Sequence, residues 1–546
     1  MRKLRIRTVY GAVFAAALLF RVGVLCEFFH SPLAHYWRIP GLDMKTHLEL
    51  GAMFAGGEGV FALYRLITAW VPHPAGLVFL QSLAGCLIAL LTALITLRLF
   101  GRKGAALLAG LLAAWYGNAV LYELVTLPET LNILTVLAGF AAVLQAKRKK
   151  FAGVWSLCAG ILLALSATGR PVNVIAVLAI LLWAGCQLYR KKARKGAAAL
   201  LAGLCLVWVP VTAWNALHGW PLPVYGSNFQ YAAQVAEKTD LASWNVGERK
   251  EAVSVLRIAG SFPVKLLKVF SIREIPDNLN YYFLKNRFIF MRFAVPAALL
   301  ISLGTAGMIT LLCRKNRRGI MLMLWLLALS LIFAAYYPAG RYRLILYPYF
   351  AVFAAIFLTE LLRPGRALPI LAGILTLSCQ WMITPHPAIL RAADHTAWGM
   401  ALIFANAPEE AADREFMEAV RLSGGAPRET ARVLHRLMLK NRPAEARKLL
   451  REYPGNDPYR IFYDALLDFG DGSILEARRK LEAMQNSVPP EVRPQYFYFL
   501  GEACFRTGAG AEAVDAYREL LKMTRTDEQK RVIQEKIRKA QTLPPR

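Results

Sequence analysis

"PAGLVFLQSLAGCLIALLTALITLRLFGRK", residues 74–103, joins an apolar run to a basic block. From Pro74 to Leu97 no residue carries a charge. A helix of about 20 residues spans a hydrocarbon core of about 30 Å, so the segment 76–97 is long enough to cross a membrane. The block "RLFGRK" then adds three cations and no anion. The same pair, apolar run and short basic block, recurs along the chain as far as about residue 384.

The composition agrees. Of 546 residues, 56% are hydrophobic, and the mean hydropathy is +0.39, outside the usual range for a soluble globular protein. A net charge of +29 raises the question of nucleic acid, but its distribution argues against one. The blocks "MRKLRIR", "RLFGRK", "KRKK", "YRKKARK", "CRKNRR" and "RPGR" hold 22 Lys and Arg and no Asp or Glu. Such blocks between apolar runs set orientation during insertion. Attraction of anionic membrane lipid is a secondary effect of the same charges. The eight cysteines are scattered without a CxxC pair or a disulfide framework. The first apolar run lacks a small-x-small cleavage pattern and is read as a retained anchor.

The pattern predicts eleven spans, at 8–28, 76–97, 104–121, 130–146, 152–168, 171–189, 197–214, 289–312, 319–336, 344–362 and 367–384. With the N-terminus cytoplasmic, all six basic blocks fall inside. Long outer segments then lie at 29–75 and 215–288. Residues 1–384 form the membrane domain, and 385–546 a tail in the periplasm or outside the cell, as expected of a multi-pass protein of a bacterial inner membrane. Only three basic residues in the short outer connections oppose the bias: Arg170 in "TGRPVN", and Arg341 and Arg343 in "YYPAGRYRLILYP".

The tail is charged and amphipathic. "PAEARKLLREYP", "ILEARRKLEAM" and "AEAVDAYRELL" place Ala446, Ala477 and Ala513 alike, at spacings of 31 and 36, near the 34-residue period of tetratricopeptide repeats. An unrelated helical bundle is the alternative. Such repeats hold a protein partner on a concave surface.

Charged side chains at the outer rim are the candidates for chemistry, because polar groups near lipid are costly. Asp43 in "PGLDMKTHLELG" is placed to take a proton from an acceptor hydroxyl; the alternative is a helix N-cap. His47, one turn on, makes a two-ligand metal site conceivable but weak. Glu123 and Glu129 flank Pro128. Glu129 is explained by a helix start after proline, whereas Glu123 follows apolar residues and has no such explanation. Arg170, Arg341 and Arg343 offer forked donors suited to phosphate, against the alternative of snorkelling to headgroups.

These residues, in this order and topology, resemble the GT-C glycosyltransferases, specifically the family 39-like, protein-mannosyltransferase-like bacterial group with C-terminal tetratricopeptide repeats. The resemblance covers residues 8–384 and rests on "GLDMKTHLELGAMFAGG", "LFGRKGAALLAGLLAAWYGNAVLYELVTLPETL", "LLALSATGRPVN", "REIPDNLNYYF" and "YYPAGRYRLILYPYFAVFAA". It implies an all-α membrane domain of the GT-C type with a repeat solenoid behind it. It implies transfer of a sugar from a polyprenyl-phosphate donor, with inversion, onto a glycan, lipid or protein acceptor at the outer face. Asp43 is then the general base or the carboxylate that orients the acceptor, Glu123 or Glu129 contacts acceptor or sugar, and Arg341, with Arg343, Tyr342 and Arg170 near, holds the donor phosphate. No cofactor is expected; a divalent metal stays open. The chain departs from the family's pattern in the short segment after "AGG" and in "VYGSNFQYAAQ", both on the outer side. A lipid-linked-substrate transporter or flippase would need ionisable groups at mid-span, and Arg21 is the exception to nearly charge-free spans. An inactive scaffold displaying the repeats is the third class.

Overall fold

The computed structural model describes residues 5–40, 42–146, 152–170, 173–174, 177–179, 181–182, 194–223, 255–274, 276–335, 340–361, 371, 374–375, 391–452, 456–524 and 526–543. The expected spans 171–189 and 367–384, the stretch 224–254 of the second long loop, and the 384/385 boundary fall largely or wholly outside the described residues. The chain divides into two compact units, Met1–Ile389 and Leu390–Arg546. The described residues are helical, with no named strand among them.

In the first unit the helices are α1 (Ile6–Phe29), α2 (Asp43–Ala55), α3 (Leu63–Trp70), α4 (Pro74–Phe100), α5 (Lys103–Ala114), α6 (Gly117–Glu123), α7 (Glu129–Ala146), α8 (Ala152–Gly169) and α9 (Arg194–Leu217). They continue as α10 (Val255–Val269), α11 (Tyr281–Lys285), α12 (Ile289–Arg292), α13 (Ala297–Cys313), α14 (Arg317–Ala335), α15 (Gly340–Arg343) and α16 (Tyr347–Glu360). Helices α1, α4, α7, α8, α9 and the continuous α15–α16 stretch Gly340–Glu360 are long and apolar enough to cross a membrane, and α5 and α13 are shorter apolar helices. The chain is a multi-pass membrane protein.

The expected span 104–121 is two helices. Helix α5 stops at Ala114, whose carbonyl accepts from Arg21 Nη1 at 3.1 Å. The Trp115 carbonyl accepts from the Val295 amide at 2.7 Å, and the Gly117 amide donates back to Val295 at 3.2 Å. Carbonyls taken by tertiary partners cannot continue the i→i−4 ladder, so the helix ends there. Gly117 permits the approach, because a Cβ on it would sit 2.7 Å from that of Ala294. The expected span 289–312 is likewise divided: α13 begins after its cap Pro296, which biases the preceding residue to extended backbone.

Helices α8 and α9 pack against each other across Gly160 and Gly203. A Cβ on Gly160 would meet the Leu200 carbonyl oxygen at 2.2 Å, and one on Gly203 the Leu157 oxygen at 2.3 Å. Small residues bring backbones this close where lipid gives no hydrophobic drive between helices.

In the second unit each helix packs on its sequence neighbour, from Ala392–Phe404 to Asp527–Gln541. Amphipathic helices that bury one stripe need such a neighbour. Ala446, Ala477 and Ala513 are all fully buried, and a Cβ on Gly501 would lie 2.6 Å from the Tyr517 ring.

Gly160→Val should lower the melting temperature of the detergent-purified protein, at a cost of about 2 kcal/mol from overpacking. Gly153→Val on the same helix, where nothing lies within 4 Å of the added Cβ, should leave it unchanged.

Candidate active site

Helix α2 begins at Asp43. Its cap is Leu42, so Asp43 stands in the first turn rather than at the N-cap, where a carboxylate is favoured by the helix dipole. Asp43 Oδ2 accepts from Arg341 Nη1 at 2.6 Å and from Asn278 Nδ2 at 2.8 Å. The side chain is 46% exposed. Burial pushes the Asp43 carboxyl up, but Arg341 and Asn278 outweigh it and hold the carboxyl below its usual value. Asp43 is therefore a carboxylate at neutral pH, open on one side.

Arg341 sits in α15, just before α16. Besides Asp43, its Nε lies 2.5 Å from Asp277 Oδ2, and Nη2 donates to the Tyr342 hydroxyl at 2.8 Å. The guanidinium carbons of Arg341 and Arg170 both stand over the Tyr342 ring, at 4.8 and 5.0 Å, a cation–π arrangement that holds two like charges near one another. Arg170 also donates to Glu129, which is almost fully buried as the first residue of α7. Glu129, Arg170, Arg341, Tyr342, Asn132 and Asn173 thus meet around a cavity of about 20 Å³. That volume takes about one water molecule, and a phosphate there must first move side chains aside. It must also compete with Asp43 and Asp277, which already neutralise Arg341.

His47, half-buried in α2, meets the Tyr64 ring edge-on at 5.3 Å. Burial lowers its pKa to about 4, with Arg170 adding to the effect and Asp43 opposing it. Among the described residues, no group of three His, Cys, Asp or Glu is placed to hold a metal ion.

Two expected site residues are placed elsewhere. Glu123 forms a two-point ion pair with Arg21, Oε1 to Nη2 at 2.6 Å and Oε2 to Nε at 2.7 Å; the two side chains are 1% and 2% exposed. It is out of reach of any acceptor in this arrangement. Arg343 turns inward. It donates to the carbonyls of Ser271 at 2.7 Å, Arg273 at 2.6 Å and Lys268 at 3.1 Å, and to Glu274 Oε2 at 3.1 Å. Those bonds fix the segment that carries Asp277 and Asn278, so Arg343 positions the partners of Asp43 and Arg341 instead of facing a phosphate. Asp277 and Asn278 are the residues that sequence reasoning missed. They lie inside the quoted motif "REIPDNLNYYF", but nothing in their spacing says that they reach Arg341 and Asp43.

No family model and no curated protein matches the chain. Among solved structures it is similar to the oligosaccharyltransferase of Archaeoglobus fulgidus in the apo form, with 15% identity, 74% of this chain and 56% of that chain covered, and a TM-score of 0.40. The chain thus spans little more than half the length of that enzyme. The oligosaccharyltransferase AglB from the same archaeon, in complex with an inhibitory peptide and a dolichol-phosphate, gives 15% identity, coverage of 76% and 59%, and a TM-score of 0.42. ArnT from Cupriavidus metallidurans bound to undecaprenyl phosphate gives 14% identity, coverage of 87% and 81%, and a TM-score of 0.41. AglB and ArnT are glycosyltransferases of the GT-C fold.

Glu123→Gln should destabilise the protein by about 3–5 kcal/mol, since it leaves Arg21 buried and unpaired, whereas Asp43→Asn at a half-exposed pair should cost about 1 kcal/mol or less; thermal unfolding in detergent reads both. A folded His47 that resists protonation gives stability that is full above its ordinary pKa of 6.5 and is lost as pH falls toward about 4. The fall in melting temperature between those pH values should be smaller in His47→Gln than in the wild type.

Proposed function

We propose that the chain is an integral-membrane glycosyltransferase that moves a sugar from a polyprenyl-phosphate donor to an acceptor hydroxyl at the outer face of the membrane, and does so with inversion. The observation that carries this reading is the pairing of Asp43 with Arg341, 298 residues apart in sequence. A half-exposed carboxylate and a forked cation meet there at the end of a membrane-spanning helix. The apolar helices supply the environment a polyprenyl chain requires, and the resemblance of the five ordered motifs supplies the reaction class.

In this mechanism the acceptor oxygen attacks the anomeric carbon as its proton passes to the Asp43 carboxylate. The bond from that carbon to the phosphate oxygen breaks, and its electron pair stays on the phosphate. Arg341, Arg170 and the Tyr342 hydroxyl stabilise the charge that develops there. Donor entry must draw Arg341 from Asp43, which frees the carboxylate as it engages the cation. Glu129, held by Arg170, contacts sugar or acceptor. The described basic residues Arg5, Arg7, Arg98, Arg102, Arg314, Arg317 and Arg318 stand at helix ends remote from Asp43, which supports placing the Asp43 end outside. The Leu390–Arg546 unit is read as a tetratricopeptide-like solenoid that holds a protein partner.

Purified protein, radiolabelled polyprenyl-phosphate sugar and a membrane extract as acceptor source test this reading. Wild type should transfer label, and Asp43→Asn should lose about 100-fold or more of the rate while retaining donor binding. Arg341→Ala should weaken donor binding by about tenfold or more. Absence of transfer by the wild type, or equal rates in wild type and Asp43→Asn, would remove this mechanism.

A further inference from the structure

At the end of the helix bundle opposite Asp43 the structure holds a second cavity, of about 270 Å³. It opens where three helix ends meet: Phe100 of α4 with the turn to α5, the turn between α13 and α14, and Glu360 at the end of α16. Arg102, Arg314, Arg317, Arg318, Asn316 and Glu360 supply its polar lining, over an apolar floor that includes Leu311 and Ile356.

Glu360 is 1% exposed and accepts from both Arg102 Nη1 and Arg314 Nη1. A buried carboxylate needs such partners. Here it fixes two guanidinium groups in the wall, and Arg318 is tied by a 2.8 Å bond from Nη1 to the Leu99 carbonyl. Arg317 and Arg318 stand exposed at the rim. Four cations thus surround one carboxylate, a formal excess of three positive charges in a concave site. Orientation during insertion needs only charge in the loop. It needs neither a cavity nor a carboxylate buried among the arginines. The volume is near the lower bound for small-molecule pockets, which suits a headgroup-sized anion. Leu312 beside the mouth is half exposed, on a helix that continues into the apolar layer.

We infer that this cavity binds the phosphate of an anionic phospholipid headgroup, with the acyl chains running along the exposed side of α13. Basic pockets between membrane helices select such headgroups over neutral ones. The site is separate from the proposed transferase centre and does not depend on it. A bound headgroup ties together the ends of α4, α13 and α16, and a single turn, Leu344–Leu346, joins α16 to the short helix α15 that carries Arg341.

Full-length protein in neutral detergent, titrated with phosphatidylglycerol or with phosphatidylcholine and read by native mass spectrometry, tests the site. Wild type should retain one phosphatidylglycerol that phosphatidylcholine does not replace. Arg317→Gln/Arg318→Gln leaves the partners of Glu360 in place and should weaken that retention about tenfold or more. Arg5→Gln/Arg7→Gln removes the same charge at the same end of the bundle and should leave it unchanged. Glu360→Gln, which frees two guanidinium groups, should tighten it. Equal effects of the two double variants, or no loss in Arg317→Gln/Arg318→Gln, would overturn the site. Displacement of the lipid by millimolar inorganic phosphate would assign the cavity to a soluble phosphate and overturn the lipid assignment.

Discussion

The Arg21–Glu123 ion pair is the contact on which the membrane unit turns. A charge of either sign in the apolar layer is expensive alone, so each side chain forces the presence of the other. The pair joins α1 to α6, 102 residues further on. It leaves no room beside it: a Cβ on Gly85 would lie 2.1 Å from Glu123 Oε1 and 2.4 Å from Arg21 Nη2, so α4 must present glycine there. Through Nη1, which also donates to the Ala17 carbonyl of its own helix, Arg21 takes the Ala114 carbonyl and ends α5. Gln81 Nε2 then holds the Val125 carbonyl at 2.7 Å, which steadies the turn between α6 and α7. That turn leads to Glu129, and Thr126 Oγ1 donates to the Met44 carbonyl at 3.2 Å, next to Asp43.

The candidate centre is therefore built by successive anchoring rather than by one motif. Arg343 plays the same part on the other side. Its bonds to the carbonyls of residues 268–273 fix the chain that delivers Asp277 and Asn278. What results is a compact network of three carboxylates and two guanidinium groups, with Arg341 shared between Asp43 and Asp277. Its carboxylates outnumber its guanidinium groups by one, and its cavity is the size of a water molecule. A ligand phosphate enters such a network by exchanging partners, and the exchange couples anion binding at Arg341 to release of the Asp43 carboxylate. The basic cavity around Glu360 has the opposite design: one carboxylate among four cations leaves net charge and open volume.

Much of this was legible in the chain itself. Apolar runs of membrane length, the basic blocks, and the amphipathic repeats with Ala446, Ala477 and Ala513 are local patterns, and they set an all-helical membrane unit and a helical tail. The same reasoning singled out Asp43, Arg341, Tyr342, Arg170 and Glu129 as polar groups in the wrong company, and the structure brings these five together. It treated Glu123 and Arg343 alike, because composition marks a residue as anomalous without saying which neighbour answers for it.

What only the tertiary structure decided is pairing. Glu123 looked the least explained of the carboxylates, yet Arg21 satisfies it completely. Asp277 and Asn278 looked unremarkable, yet they complete the surroundings of Arg341 and Asp43. The break at Ala114 is invisible in an apolar sequence, since it arises from a carbonyl captured by a side chain on another helix. Helix type and membrane length follow from periodicity and transfer energy, which neighbours along the chain determine. A hydrogen-bonded ion pair needs its groups within about 4 Å of each other, so its outcome depends on which distant segments the fold brings within reach.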